Sequence, residues 1–288
     1  MRGKLVILAG GISSRMKKPS RIIMEQKLLM DADVKSKSMI GVGDNYRPFL
    51  DYLLWNAREA GYSDLVLVIG EKDNSIKEYY GEEENFNDYR GLSISYAIQP
   101  IPSGRVKPWG TADALYWGLR SKPMWSGEKF TVCNSDNLYS IEALTIMLNS
   151  SHPGALIDYD RSFLDFETSR IEKFAVTIKN ERGFLKDIIE KPEAVLIEKL
   201  KDSSGYIGVS MNIFSMEYDL IFPILENVSP HPERQEKELP EAVKILANQI
   251  SDSVYAYPMR EHVPDLTSKE DILQVRNYLL KHYPDFTF

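Results

Sequence analysis

The chain has 288 residues, of which 43% are hydrophobic and 27% charged, and these are the proportions of a globular protein with a large buried core. Its formal net charge is -7, and because six basic residues precede the first acidic one, the rest of the chain is more acidic than this total indicates. Such an excess of acidic residues argues against a general nucleic-acid binder. A single cysteine excludes an internal disulfide, and with only four histidines a zinc site is improbable. No run approaches the ~20 apolar residues that cross a bilayer, so we expect a cytoplasmic protein without a membrane partner.

The first half of the sequence alternates between short apolar runs and amphipathic segments. The apolar run 4–9 predicts a buried strand that ends at Gly10-Gly11, and the polar, Lys-rich segment 12–46 predicts irregular structure. In chain order, the following segments predict a helix at 48–60, a strand at 65–69, a helix at 73–80, an exposed acidic loop at 81–85, a strand at 92–98, a helix at 111–119, a strand at 129–133 and a helix after Ser140. This alternation is typical of a parallel sheet covered by helices.

The second half contains fewer helices between its strands. Its pattern predicts strands at 154–159, 171–178, 184–189, 206–214 and 253–257, and helices at 215–226, 238–249 and 268–281. No internal repeat or flexible linker divides the sequence. We therefore predict a Rossmann-like α/β fold with a mixed, mostly parallel central sheet covered by helices on both faces. We expect residues 1–288 to form a single domain whose two halves meet near residue 150.

A glycine pair and a cluster of basic side chains occur together in Leu8-Ala-Gly-Gly-Ile-Ser-Ser-Arg-Met16. Glycines directly after a buried strand allow backbone N–H groups to approach a ligand closely, as phosphate binding requires. The loop has neither the end of a Walker A motif nor the G-x-G-x-x-G spacing. A phosphate-binding loop, with Arg15 neutralising charge, and a tight turn beside a solvated basic loop both remain open. The six early basic residues are Arg2, Lys4, Arg15, Lys17, Lys18 and Arg21.

An aspartate follows the strand 129–133 in Phe130-Thr-Val-Cys-Asn-Ser-Asp-Asn-Leu-Tyr139. Asp136 lies past the carboxyl end of this strand, which is where open α/β sheets bind their ligands. A carboxylate there suits Mg²⁺, which takes one or two protein carboxylates together with phosphate oxygens. An Asx turn or a cap for the next helix would also account for an aspartate at this position.

These two motifs together resemble the nucleotidyltransferase family that makes nucleotide sugars, and four further segments extend the resemblance over residues 3–275. Ser36-Lys37-Ser-Met-Ile-Gly-Val-Gly43 is similar to the family's Pro-Lys segment, with Ser36 in place of the proline. Gln99 and Trp109-Gly-Thr-Ala-Asp-Ala114 resemble its base-reading loop. Ile189-Glu-Lys-Pro192 resembles its sugar-phosphate segment, and Val263-Pro-Asp-Leu-Thr-Ser-Lys-Glu-Asp271 resembles the segment that supplies a second metal-binding aspartate.

The resemblance implies a Mg²⁺-dependent transfer of a nucleotidyl group from an NTP to a sugar-1-phosphate, with release of pyrophosphate. It implies three catalytic residues, which are Arg15 at the leaving phosphates, Lys37 at the α-phosphate and Lys191 at the sugar phosphate. The other implied site residues bind the nucleotide (Leu8, Ala9, Gly10, Gly11, Gln99, Gly110 and Thr111), the sugar phosphate (Glu190, Lys191 and Asn212) and Mg²⁺ (Asp136 and Asp265). It leaves the oligomeric state open, with a homo-oligomer among the alternatives.

Other functions remain open beside this one. The glycine-rich loop also resembles nucleotidyltransferases that act on molybdopterin or phosphocholine, although the Glu-Lys-Pro segment favours a sugar acceptor. Ser36 and Ser135 stand where the family has proline and glycine, and they keep open a non-catalytic sensor or regulatory homologue that binds nucleotide sugars. A glycosyltransferase of related fold could use an aspartate metal site, but it releases no pyrophosphate and would have no reason to keep the glycine-rich loop.

Overall fold

A computed structural model describes residues 2–20, 22–81, 87–202 and 204–288. Arg21 and most of the acidic loop predicted at 81–85 lie outside these residues. The elements in chain order are β1 (Gly3–Leu8), α1 (Gln26–Val34), α2 (Phe49–Glu59), β2 (Tyr62–Gly70), α3 (Ser75–Tyr80), β3 (Asn87–Tyr89), β4 (Leu92–Gln99), α4 (Thr111–Arg120), β5 (Lys129–Asn134), α5 (Ile141–Asn149), β6 (Gly154–Asp160), α6 (Thr168–Ile171), β7 (Ala175–Lys179), β8 (Leu185–Ile189), α7 (Ala194–Lys199), β9 (Gly208–Glu217), α8 (Tyr218–Asn227), α9 (Leu239–Gln249), β10 (Val254–Met259) and α10 (Asp271–His282).

The strands of the described residues form one mixed sheet. Its main path runs in the order β10-β6-β9-β5-β1-β2-β4-β3, and β7 pairs with both β8 and β9. Strands β4, β2, β1 and β5 run parallel to one another, and β6 is parallel to β10. Strand β9 is antiparallel to β5 and β6, and β3 is antiparallel to β4. The predicted mixed α/β fold is therefore confirmed. The prediction of a single domain stays a prediction.

Alternate side chains of β1 face two separate hydrophobic layers. Leu5 and Ile7 pack in a core with α2, α5 and α10, whereas Val6 and Leu8 pack in a second core with α4, α8 and α9. Successive strand residues point to opposite faces, so the consecutive apolar residues 5–8 of β1 are buried against both layers. The helices therefore cover both faces of the sheet, as the sequence predicted. No helix among the described residues is long and apolar enough to cross a membrane.

Residues 12–46 are not wholly irregular, because Gln26–Val34 form α1. The sequence prediction is wrong here for a physical reason. The buried face of α1 consists of only Leu28, Asp31 and Ala32, while Met30 and Val34 are exposed. The segment therefore lacks the apolar repeat by which an amphipathic helix is recognised.

Three predicted boundaries in the second half are also wrong, and one of them is the start of the helix predicted at 268–281, which begins at Asp271. The strand predicted at 171–178 begins only at Ala175, because residues 168–171 close a helical turn in which the Glu172 N–H donates to the Thr168 carbonyl at 3.0 Å. The helix predicted at 215–226 begins at Tyr218, because residues 215–217 continue β9 and pair with β5. The sequence prediction also lacks the short elements β3 and α7.

The parallel strands bring several loops to one edge of the sheet. Strands β1, β2, β4 and β5 run in the same direction, so their carboxyl ends lie together. Backbone hydrogen bonds continue beyond the strand ends, from the Ala9 N–H to the Val68 carbonyl at 2.8 Å and from the Ser135 N–H to the Leu8 carbonyl at 3.1 Å. The glycine-rich loop and the Asp136 segment are thereby held side by side.

Candidate active site

A cavity of about 490 Å³ opens at this edge of the sheet. Its walls come from the loop after β1, the segment around Lys37, the end of β4, the start of α4 and the loop after β5. The predicted residues that line it are Leu8, Ala9, Gly10, Gly11, Arg15, Lys37, Gln99, Gly110, Thr111, Asp136, Glu190 and Asn212. The fold thus brings the predicted nucleotide-binding residues together.

A second cavity of about 570 Å³ adjoins the first. The residues that line both cavities are Arg15, Asn134, Asp136, Glu190 and Asn212. Lys191 and Asp265 line only the second cavity, together with Arg170 and Lys173. Every residue assigned a role from the sequence therefore lines one of two connected cavities, and Asp136 lies at their junction.

The glycine pair leaves room at the mouth of the first cavity. An ideal Cβ on Gly11 would meet no atom within 4 Å, whereas one on Gly10 would lie 3.0 Å from Gln99 Oε1. Ser13 has a φ of 54°, and its carbonyl accepts from the Lys17 N–H at 3.2 Å, which turns the chain back beside the cavity. The backbone at Gly11 is therefore not covered by a neighbouring atom, which leaves space beside it for a ligand.

The end of β4 is joined to the start of α4 by a buried polar contact. Gln99 Nε2 donates to the Gly110 carbonyl at 2.9 Å and to Asp113 Oδ2 at 2.8 Å. Gly110 has a φ of 114°, and an ideal Cβ on it would lie 2.7 Å from the Lys237 carbonyl, so this position requires glycine. Thr111 Oγ1 accepts from the Leu239 N–H at 2.9 Å, which also gives it a structural role at the start of α9.

Lys37 and Asp136 form an ion pair inside the first cavity. Their side chains are only 17% and 19% exposed, and Lys37 Nζ donates to Asp136 Oδ2. Lys37 begins a short 3-10 helix, Lys37–Met39, whose Ser38 and Met39 are buried and anchor the lysine against the core. The two residues that the resemblance placed at the α-phosphate and the metal therefore contact each other directly.

Asp265 lies beside the Asp136 segment through backbone pairing. Asn137 and Asp265 form an antiparallel bridge, and the Leu266 N–H donates to the Asp136 carbonyl at 2.8 Å. Burial, together with the negative charge of Asp136, raises the pKa of Asp265, and Arg170 opposes this rise. The two carboxylates are therefore near enough to interact electrostatically, although they belong to segments 129 positions apart in the sequence.

This pair is a chemically suitable donor set for a hard divalent cation. Mg²⁺ takes one or two protein carboxylates and completes its shell with water and substrate oxygens. Burial raises the pKa of Asp265 most, and a cation held by Asp136 and Asp265 would relieve the repulsion between the two carboxylates that adds to this rise. No cluster of three or more His, Cys, Asp or Glu side chains suited to a metal occurs among the described residues, so water and substrate oxygens would have to supply the remaining ligands.

Glu190 and Asn212 line both cavities, and Lys191 lies beside them in the second cavity. Burial is the main reason that the pKa of Glu190 is raised, and the nearby charge of Glu238 adds to it. Lys191 and Asn212 have φ values of 48° and 58°, which are uncommon for residues other than glycine. Since Lys191 also precedes a proline, which disfavours helical backbone angles, the surrounding fold must hold this backbone in place.

Arg170 is a site residue that the sequence analysis missed. Its Nη2 lies 2.8 Å from Asp265 Oδ2, its Nη1 donates to Asp271 Oδ1, and its guanidinium lies 4.4 Å from the centre of the Phe166 ring. The other oxygen of the Asp265 carboxylate accepts from Thr267 Oγ1 at 2.6 Å. Both oxygens of Asp265 are thus held in place. No motif marks Arg170, because its partners lie about a hundred positions away in the sequence.

Comparison with known proteins identifies a family model and several relatives that this chain resembles. A family model described as nucleotidyl transferase matches residues 4–279. A glucose-1-phosphate adenylyltransferase from Vibrio vulnificus (strain CMCP6) is 27% identical over 75% of this chain and 49% of its own length. A glucose-1-phosphate thymidylyltransferase from Neisseria meningitidis is 27% identical over 66% of this chain and 56% of its own. The chain thus spans about half the length of the curated relatives it matches.

The fold is also found among solved structures. A UDP-glucose pyrophosphorylase from Acinetobacter baumannii superposes with a TM-score of 0.70 at 20% sequence identity. The match covers 99% of this chain and 95% of that one. The two chains therefore share the same fold over nearly their entire lengths.

Proposed function

Because the chain belongs to the nucleotidyl transferase family, we propose that it transfers a nucleotidyl group from an NTP to a sugar-1-phosphate and releases pyrophosphate. The observation that carries this proposal is the pair of connected cavities that meet at Asp136. The first has a glycine-rich loop and Arg15, which suit a triphosphate. The second has Glu190 and Lys191, which suit the hydroxyls and the phosphate of a sugar phosphate.

The relatives support a sugar phosphate as acceptor but differ in the base. The two curated relatives are named for glucose-1-phosphate, and one transfers an adenylyl and the other a thymidylyl group. The similar solved structure is named for UDP-glucose. We therefore propose a sugar-1-phosphate acceptor, and the choice of base is left to experiment.

The reaction needs no general base, because the attacking group is already a phosphate anion. An oxygen of the sugar phosphate forms a bond to the α-phosphorus of the NTP. At the same time, the bond breaks between the α-phosphorus and the oxygen that bridges it to the β-phosphate. The electron pair of that bond leaves with pyrophosphate. The main barrier is repulsion between two polyanions, so catalysis consists of positioning and charge neutralisation.

Three basic side chains are placed to neutralise this charge. Arg15 lines both cavities and would hold the departing β- and γ-phosphates. Lys37 would contact the α-phosphate from within the first cavity, and Lys191 would hold the sugar phosphate in the second. Neither Arg15 nor Lys191 forms a salt bridge with another described residue, so their charges are available to substrate.

Asp136 and Asp265 would hold Mg²⁺ against the phosphate oxygens. When bound, Mg²⁺ supplies charge neutralisation at the α-phosphate and a fixed geometry for in-line attack. Lys37 and Arg170 pair with these two carboxylates and limit their repulsion in its absence. Thr267 and Arg170 keep the Asp265 carboxylate oriented for this task.

The proposal is tested by measuring pyrophosphate release from UTP, dTTP, ATP, GTP and CTP, each with a panel of sugar-1-phosphates. We expect release that requires both substrates, with Mg²⁺ present, for at least one pair. Phosphocholine serves as the acceptor control, because it offers a phosphate without a sugar. Tight nucleotide binding without turnover for any pair would instead favour a non-catalytic binding protein.

A further inference from the structure

We propose that Asp113 is a positioning residue that fixes which hydrogen-bonding face Gln99 presents to the base of the nucleotide. This inference rests on the proposed function, since it concerns recognition of the NTP. Gln99 and Asp113 are both buried, with 2% and 8% of their surfaces exposed. They connect the end of β4 to the first turn of α4 beneath the first cavity.

The side-chain amide of Gln99 has only one orientation that satisfies its surroundings. Its Nε2 donates one hydrogen to the Gly110 carbonyl at 2.9 Å and the other to Asp113 Oδ2 at 2.8 Å. An amide nitrogen carries two hydrogens, so both are used. The carbonyl and the carboxylate can only accept, so rotating the amide by 180° would place Gln99 Oε1 against two acceptors. A buried contact of that kind is strongly unfavourable.

The fixed amide leaves Gln99 Oε1 directed towards the glycine-rich loop. An ideal Cβ on Gly10 would lie 3.0 Å from this oxygen, so Oε1 is directly beside the Gly10 backbone that lines the first cavity. The cavity therefore presents a hydrogen-bond acceptor at this point. A base recognised here must offer an N–H group, either the ring N–H of uracil, thymine or guanine or the amino group of adenine or cytosine.

An aspartate is well suited to this function at its position in the helix. Asp113 lies in the first turn of α4, where a negative side chain interacts favourably with the partial positive charge of the helix start. An ionised carboxylate accepts only, and its hydrogen bond is roughly twice as strong as one between neutral groups. Asparagine has nearly the same shape but could donate as well as accept, so it would remove one of the two acceptors that oppose rotation of the Gln99 amide and leave only the Gly110 carbonyl.

The test compares wild type with Asp113→Asn in calorimetric titrations of UTP, dTTP, ATP, GTP and CTP with Mg²⁺. We expect the preferred NTP to bind roughly fivefold more weakly to the variant, the effect of replacing a charge-assisted hydrogen bond by a neutral one. The ratio of Kd between the most weakly and the most tightly bound NTP should therefore be smaller for the variant than for wild type. Inorganic tripolyphosphate, which has no base, should bind both proteins within about twofold, because the phosphate contacts are unchanged.

A matched control is Glu142→Gln, which removes an acid from the first turn of α5. This variant should alter neither NTP discrimination nor tripolyphosphate binding, whereas a general effect of losing a helix-start acid would appear in both variants. A second measurement uses wild type alone and tests the acceptor directly. Methylating the N–H of the preferred base, as in N3-methyl-UTP, N1-methyl-GTP or N6,N6-dimethyl-ATP, should weaken binding at least tenfold.

The outcomes separate this inference from the proposed function. Wild type that binds an NTP, while Asp113→Asn keeps the same discrimination and the methylated base binds equally well, overturns the inference alone. Wild type that binds none of the NTPs overturns the proposed function and this inference with it. Equal weakening of NTP and tripolyphosphate by Asp113→Asn also overturns the inference, because it would show a general structural effect.

Discussion

Glu261 provides a stability prediction whose size follows from the structure. Its Oε1 accepts from Ser140 Oγ at 2.9 Å, and the same hydroxyl accepts from the Ala143 N–H at 3.0 Å as the cap of α5. Burial is the main reason that the pKa of Glu261 rises from 4.5 to about 7, and the charge of Glu142 adds to the rise. The folded state therefore prefers the protonated side chain.

The sign of the effect follows from proton linkage. Between pH 4.5 and about 7 the folded protein binds more protons than the unfolded chain, so the free energy of unfolding falls as pH rises through this window. The full displacement of the pKa corresponds to about 3 kcal/mol. Glu261→Gln keeps an oxygen for Ser140 and removes the charge. We therefore expect it to be more stable than wild type at pH 8 and equally stable near pH 4.

Thermal unfolding at the two pH values measures this difference. For a chain of this length, about 3 kcal/mol corresponds to a rise in Tm of about 5 °C. Glu226→Gln is the matched control, because Glu226 is an exposed glutamate and should change Tm little at either pH. A Glu261→Gln variant that is no more stable than wild type at pH 8, or that gains as much at pH 4, would refute the reasoning.

Three further predictions concern the site and the sheet. Asp136→Ala and Lys191→Ala should each lower kcat by about 10²-fold or more in the pyrophosphate assay, the usual loss for one transition-state contact, and near-wild-type turnover would remove that residue from the mechanism. EDTA should abolish turnover and added Mg²⁺ restore it, whereas full activity without metal would contradict the assignment of the two aspartates. Gly208→Ala should cost about 3 kcal/mol of unfolding free energy by urea denaturation, because its Cβ would lie 2.0 Å from Oδ1 of buried Asp158, while Gly11→Ala, in open space, should leave stability nearly unchanged.

The parts of the fold that the sequence predicted well are those with a strong local pattern. The strand Gly3–Leu8 is apolar at its central positions because both of its faces are covered, and its glycine pair marks the point where the loop begins. The position of Asp136 could likewise be predicted, because ligands bind at the carboxyl ends of parallel strands. Helix α1 could not, since only a narrow face of it is buried.

The site residues that the sequence did not predict depend on contacts between distant segments. Arg170 lies in a four-residue helix, and its function follows only from its contacts with Asp265 and Asp271. Asp113 is part of the Gly-Thr-Ala segment, but its effect on Gln99 requires the three-dimensional pairing of β4 with α4. The cytoplasmic location stays a prediction, and a homo-oligomer stays one of the alternatives for the oligomeric state.

The central claim is that an oxygen of a sugar phosphate replaces pyrophosphate on the α-phosphorus of the NTP. The most direct test supplies [α-³²P]NTP with the best sugar-1-phosphate and Mg²⁺, and separates the products. We predict that the label appears in a nucleoside diphosphate sugar, in amounts equal to the unlabelled pyrophosphate released. Label that accumulates in nucleoside monophosphate, or that stays in the NTP with every acceptor, would contradict the account.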